Sequence, residues 1–312
     1  MFLDLLLRGF IVGLSFTIPG CSGGTFAVYV GIYDRLLHAL GNIFTDFKNS
    51  MKFLIPVGIG LVAGILLFSS LMALALQVNS FVTIMVFIGL TIGGVPNLLK
   101  HVKGHRVTTS GIMAFIIAFL IVIALVVFQV MNGTNGTDFF TIDFSTILLL
   151  FGLGVIGAIS MIIPGVSGSG LLMIMGFYTA IVSNVVGNLL DFTQLGYNLS
   201  VLLPFGIGAV VGVVFISKLL ESILKKYPVQ SYLAIIGFII ASAVTLFIWM
   251  RDSGSASDYT AQTPIYQFFW QYVSTNIVTV VFGIVGLGLG LLGSTLIVKF
   301  GAKQSQGKSQ NC

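Results

Sequence analysis

The sequence predicts an all-α polytopic membrane protein made of two inverted-topology repeats, with re-entrant or broken helices at a Pro-Gly-x-Ser-Gly motif in each. Three observations predict it: a composition too apolar for water, long unbroken hydrophobic runs, and the recurrence of that motif. Of 312 residues, 57% are hydrophobic and 7% charged, against about 25% charged in a soluble domain. So few charges cannot cover a surface in water, which excludes soluble enzymes and soluble binding modules. The runs are continuous rather than alternating, so they span as helices and not as barrel strands. The formal net charge of +5 reflects membrane topology and gives no signal for nucleic acid.

Ten apolar segments follow one another, at 2–18, 23–43, 53–77, 81–99, 110–131, 145–163, 168–190, 200–224, 230–250 and 275–299. The first carries Asp4 and Arg8 and lacks a small-residue cleavage site, so it is a retained segment and not a removable signal peptide. The connections are short except for 251–274, which is polar and holds Gly254 and Pro264. Cys21 lies in the first motif and Cys312 is the last residue, so no disulfide framework is expected.

The segments fall into two halves. A shift of 145 residues lays Pro19 on Pro164, Gly20 on Gly165, Ser22 on Ser167, Gly23 on Gly168, Gly31 on Gly176 and Tyr33 on Tyr178. A shift of 148 then lays Pro56 on Pro204, Gly58 on Gly206, Gly60 on Gly208, Gly64 on Gly212 and Gly89 on Gly237. A three-residue insertion before Pro204 accounts for the change. The expected organisation is one transmembrane domain over 1–312, with repeats at about 1–131 and 145–299 and a cytoplasmic tail at 300–312. Five segments per half is an odd number of crossings, which turns the second half over relative to the first. If the first two segments of a half form a re-entrant hairpin, three crossings remain and the inversion survives.

Basic residues orient the chain. Lys48 and Lys52 share one loop, and Lys100, Lys103 and Arg106 another. Lys218, Lys225 and Lys226 surround a third, and Lys299, Lys303 and Lys308 close the chain. The alternate loops hold Arg251 among Asp138, Asp143, Asp191, Asp252 and Asp258. The positive-inside rule therefore puts both termini in the cytoplasm and the 132–144 and 251–274 loops outside.

The motifs "TIPGCSGGTF" and "IIPGVSGSGL" interrupt helices inside apolar runs. Proline removes a donor and glycine admits turn dihedrals, so each motif reads as a helix end, a tight turn and a new helix start. Ser22 and Thr25 are suited to capping that start. Breaks of this kind are tolerated in a membrane only where protein or a water-filled cavity surrounds them. Gly9 to Ile18 and Phe26 to Tyr33 each span about 12–15 Å as helix, half of a ~30 Å core, so the first turn is expected near the midplane. Arg8, Asp34 and Arg35 would then lie near the cytoplasmic face. The runs around the second motif are longer and uncharged, which leaves either a hairpin or two full spans there. Two helix N-termini meeting at mid-depth in an inverted repeat form an anion site of a kind recurrent in secondary transporters. Tight helix packing through small residues is the alternative use of the same glycines.

On these residues the chain resembles a known family. "IPGCSGGTFAVYVGIYDRLL" and "IPGVSGSGLLMIMGFY" are similar to the paired signatures of the bacterial polyprenyl-phosphate transporters, and the likeness runs through nearly the whole chain. The resemblance implies a multi-pass translocase of the bacterial cell membrane that returns undecaprenyl phosphate from the outer to the inner leaflet for carrier-lipid recycling. It implies substrate contacts from Ser22, Gly23, Gly24 and Thr25 and from Ser167, Gly168 and Ser169, with Arg8 and Arg35 flanking the first motif. Members often carry an acid shortly before the first Pro-Gly. Here that stretch is "LSFTI", so an acid-based coupling role is in doubt. Cys21 replaces the usual aliphatic residue, and the second motif lacks the Gly-Gly-Thr of the first.

Two other functions use the same residues. One is a secondary transporter for a small soluble anion. The other is a membrane lipid-phosphate enzyme, which would need an acid, base or nucleophile cluster at depth, and the nine acids lie in loops or near helix ends. The expected partners are a polyprenyl phosphate, bilayer lipids and a coupling cation, proton or sodium. No cofactor, metal or nucleic acid is expected. Arg8 and Arg35 either contact phosphate or anchor helix ends beside Asp4 and Asp34. Lys218 and Glu221, three apart, are expected to pair, with a coupling role for Glu221 as a further option. His101 and His105 lack a third ligand for a metal, and His38 is expected at the interface. Sequons at Asn132 and Asn135 have no consequence in a bacterium. Gly283, Gly286, Gly290 and Gly293 read as packing positions.

Overall fold

The computed structural model describes residues 2–18, 22–104, 107–132, 143–166, 195–248, 250, 265–267 and 269–309, together with Leu172, Met175, Phe177 and Ile181. Every regular element among them is helical: α1 (Phe2–Phe16), α2 (Gly23–Tyr29), α3 (Tyr33–Gly41), α4 (Phe47–Val78), α5 (Ser80–Ile92), α6 (Val95–Val102), α7 (Thr109–Asn132), α8 (Phe144–Ile162), α9 (Leu195–Lys226), α10 (Pro228–Ile248), α11 (Phe269–Thr275) and α12 (Ile277–Ser309), with a 3₁₀ turn at Ile265–Gln267. Among the described residues seven spans are long and apolar enough to cross a membrane: α4, α5 with α6, α7, α8, α9, α10 and α12. At 15 residues, α1 falls short of that length, reaching about 22 Å.

Two predicted segments are broken. The run 23–43 divides at Gly31, whose φ of 71° ends α2. The run 81–99 divides at Gly93 and Gly94, and Pro96 opens α6 at a position where its missing N–H costs nothing. At the other end of the chain α12 continues to Ser309, beyond the start of the predicted tail. Both α4 and α9 have 32 residues, and each keeps a proline inside, Pro56 and Pro204.

Helices pair where glycine lets backbones touch. α1 runs parallel to α4: Gly9 lies on Val57, Gly13 on Leu61, Gly60 on Leu6 and Gly64 on Phe10, with backbone so close that a Cβ would overlap a carbonyl. α8 runs parallel to α9 by the shifted set, Gly154 on Phe205, Gly208 on Phe151 and Gly212 on Val155. α5 pairs with α12 through Gly89 and Gly290, and α7 with α10 through Gly111 and Gly237. In lipid, where apolar surface gains nothing by meeting apolar surface, such close approach supplies the association energy through packing. Gly283, Gly286, Gly290 and Gly293 of α12 are thus packing positions, as Gly283 against Phe81 and Gly290 against Val86 illustrate.

The short helix α2 sits inside this assembly. Phe26, Ala27, Tyr29 and Val30 are each at most 2% exposed. They belong to one apolar core with Leu5 and Val12 of α1, Phe53 and Val57 of α4, Ile84 and Phe87 of α5, and Ile235 and Ile239 of α10.

Candidate functional site

The ends of the two motif-bearing helices meet. α1 leads to the first motif and α8 to the second, and Ser22 lies against the end of α8. The Ser22 hydroxyl accepts from the Gly24 N–H at 3.2 Å, which caps α2, and donates to the Ile163 carbonyl at 3.1 Å. The Tyr33 hydroxyl donates to the preceding carbonyl, Ile162, also at 3.1 Å. A Cβ on Gly24 would stand 2.8 Å from the Ile162 oxygen and 3.1 Å from the Pro164 nitrogen. Gly24 is therefore glycine because the other motif occupies the space. At Gly165 the φ is +80° and the Phe238 backbone of α10 crowds the position, so both conformation and space require glycine.

Ser22, Gly23, Gly24 and Thr25 come together at the first turn of α2, all buried. Thr25 is 1% exposed, and its hydroxyl has no hydrogen-bond partner among the described residues, a state that costs about 1–3 kcal/mol. Ser167, Gly168 and Ser169 lie outside the described residues, as do Pro19, Gly20 and Cys21.

The two arginines are elsewhere. Arg8 is 5% exposed. It bonds Asp4 at 3.0 Å, donates to the Val30 carbonyl at the C-terminal end of α2, and lies 5.9 Å from the Phe300 ring. A helix of seven residues separates Val30 from Ser22, about 10 Å. A buried cation at a helix C-terminus is favourably placed against the helix dipole. Arg35 is exposed and stacks 4.6 Å over the Phe53 ring of α4.

A second polar cluster lies where α3 packs against α9. The expected pairing of Glu221 with Lys218 is corrected here. Glu221 pairs with Lys225 at 2.6 Å and with His38 at 2.9 Å, while Lys218 lies over Gly41. The i,i+4 geometry suits Glu preceding Lys, and α3 packing on Lys218 draws that stem away. Asp34, Glu221, Lys225 and Tyr232 line a cleft of about 240 Å³ with Leu37, Leu224 and Pro228. Partial burial there, with Glu221 nearby, raises the Asp34 carboxyl above its ordinary range, partly offset by His101 and Lys225. His101 stacks on Tyr232 at 4.7 Å, and His105 lies outside the described residues. Among the described residues no cluster could hold a metal ion.

Residue-by-residue reading of the sequence missed the contacts of Tyr29 and Tyr33. Tyr29 donates to the Thr91 carbonyl beside the break between α5 and α6, and its ring fills the place a Cβ on Gly94 would take. For Tyr33 the available signal was the Gly-x-Tyr that follows both motifs.

Residues 12–263 match the family model described as VCA0040-like, undecaprenyl phosphate translocase-like. The chain is 32% identical over 251 residues to a polyprenyl-phosphate transporter of Staphylococcus aureus, covering 78% of this chain and 85% of that protein. It is 24% identical over 281 residues to a polyprenyl-phosphate transporter of Vibrio cholerae, covering 85% and 84%. No solved structure matches it. With the match spanning both motif regions and their meeting point, the chain belongs to the undecaprenyl phosphate translocase-like family of membrane proteins.

Proposed function

We propose that this protein carries a polyprenyl phosphate, undecaprenyl phosphate or a close relative, from the outer to the inner leaflet of the bacterial cell membrane. The phosphate binds where the two Pro-Gly motifs meet. The observation that carries the reading is the Ser22–Ile163 hydrogen bond at 3.1 Å, which joins the two motifs through residues 141 apart. Both curated relatives above are named polyprenyl-phosphate transporters. The α2 start brings N–H groups, the Ser22 and Thr25 hydroxyls and two glycines to one buried point, a donor set suited to an anion. Ser167, Gly168 and Ser169 complete the site from the second repeat.

The repeats, near 1–131 and 145–299, are inverted in this reading. Three crossings, α4, α5 with α6, and α7, separate the start of α4 from the start of α8. The parallel pair α8–α9 then enters from the face opposite to the pair α1–α4, and the two motifs approach each other from opposite leaflets. Arg8 and Arg35 supply positive charge around the first motif, Arg8 from beneath α2. Both termini are cytoplasmic, and a proton or sodium gradient drives the exchange.

The test is a leaflet-resolved assay in vesicles containing the purified protein. Undecaprenyl phosphate placed in one leaflet should move to the other faster than in protein-free vesicles, with a rate that responds to an imposed proton or sodium gradient. Uptake of inorganic phosphate without lipid movement would instead establish a transporter of small soluble anions.

A further inference from the structure

A tyrosine stands fourteen residues after the proline of each motif, Tyr33 after Pro19 and Tyr178 after Pro164, each preceded by Gly-x. In the first repeat the structure shows what the spacing does. Gly31, at φ 71°, donates to Val28 at 3.1 Å, and Ile32 donates to Ala27 at 3.0 Å, the paired bonds that close a helix with a left-handed residue. This turn stops α2 after two turns and starts α3 with Tyr33. The Tyr33 side chain, 5% exposed, thereby reaches the end of α8. It takes the Ile162 carbonyl while Ser22 takes that of Ile163. The Val166 N–H goes to Ile163 at 3.3 Å. The two hydroxyls therefore sit on successive carbonyls, at the same end of α2 as Thr25, which is 1% exposed and whose hydroxyl has no partner among the described residues.

We propose that Tyr33 is a phosphate ligand and sets the specificity for a phosphorylated head group. The inference rests on the reading of the motif meeting point as the anion site. In the structure the Tyr33 and Ser22 hydroxyls occupy the Ile162 and Ile163 carbonyls. An entering phosphate takes both hydroxyls from the carbonyls. A phenol keeps its proton at neutral pH, so Tyr33 is a donor throughout. A hydrogen bond to an ionised oxygen is about twice as strong as one to a neutral carbonyl, which favours the exchange. Water entering with the head group takes the two carbonyls. An uncharged prenyl alcohol offers no such gain and leaves the contact closed.

The experiment uses the full-length protein in detergent, with farnesyl phosphate and farnesol as probes. Tyr33→Phe keeps the ring and removes the donor. It should weaken farnesyl phosphate binding about tenfold, the loss of one charge-assisted hydrogen bond, and leave farnesol binding unchanged. Farnesyl phosphate binding as tight as in the parent protein, or tighter, would overturn the proposal, since a tyrosine that only closes the contact competes with the ligand. Should the variant not fold, 3-fluorotyrosine at position 33 supplies a second measurement. Its fluorine resonance should move with farnesyl phosphate and stay with farnesol, and equal behaviour with both also overturns the proposal. Gly24→Val separates the two levels of the argument. If that protein still binds farnesyl phosphate, the anion-site reading itself fails. If it loses binding while Tyr33→Phe does not, the tyrosine assignment alone fails.

Discussion

Arg8 carries a buried positive charge that the fold holds at three points, the Asp4 carboxylate, the Val30 carbonyl and the face of Phe300. Two planar donors aimed at different acceptors are a property of guanidinium that an ammonium cannot copy. Arg8→Gln leaves Asp4 without its cation and removes the charge below α2, and it should lower transport strongly. Arg8→Lys should restore only part of it. Arg35 differs because it is itself exposed and its contact is the ring of Phe53, which a lysine can also cover. If Arg35 also grips phosphate, Arg35→Lys should stay well below the parent rate in the leaflet assay. Full activity of both lysine variants at normal protein levels would leave the α2 end and its hydroxyls as the whole anion site. The sequence pointed to both arginines by their distance from the motif. It could not tell them apart, because burial depends on α12 and α4 arriving from elsewhere in the chain.

At the scale of helices, glycines of two kinds alternate along α4 and α9. Gly60 and Gly208 lie on the backbones of α1 and α8, whereas Gly58 and Gly206 have no described residue within 4 Å of where a side chain would start. Gly58 instead lines a shallow apolar groove of α4 with Leu54, Ile55 and Val62. The two kinds predict opposite signs. Gly60→Val and Gly208→Val force the paired helices apart and should each destabilise the protein by about 1–3 kcal/mol, the range for overpacking. Gly58→Ala and Gly206→Ala should be neutral or stabilising by up to about 1 kcal/mol, since alanine favours helix and meets no neighbour. Thermal unfolding of the detergent-solubilised variants decides the matter. Destabilisation by Gly58→Ala equal to that of Gly60→Val would mean that α4 touches a partner on its open face. The repeat shift located all four positions in the sequence. Which of them carries a helix contact became visible only with α1 and α8 in place.

At the scale of the molecule, the proposed topology sends the 132–144 and 251–274 loops outside, although their residues 133–142 and 251–264 lie outside the described part of the structure. Single cysteines at Asn135 and Ser257, in a chain freed of Cys21 and Cys312, should react with a membrane-impermeant reagent on intact cells. A cysteine at Lys225, at the end of α9, should react only after the membrane is opened. Protection of either loop position would overturn the inversion, because all four paired helix sets depend on the same count of crossings. The meeting of the two motifs depends on it as well.

The amino-acid sequence alone determined the membrane class, the helical architecture and the position of the two helix breaks. These follow from local chemistry: charge content, continuous apolar length, and the conformations open to proline and glycine. The recurrence of the Pro-Gly-x-Ser-Gly motif was equally legible, since it needs only comparison of the chain with itself. The tertiary structure decided what each break faces. Gly24 lies on Ile162 and Ser22 holds Ile163, while Glu221 turns to His38 and Lys225 and leaves Lys218 over Gly41. Tyr33 and Tyr29 donate to carbonyls at the end of α8 and beside the α5–α6 break. Apart from the Glu221–Lys225 pair within α9, these are contacts between segments about 60 to 180 residues apart. A freed carbonyl in an apolar interior must find a donor, but which donor it finds is set by the helices that pack around it.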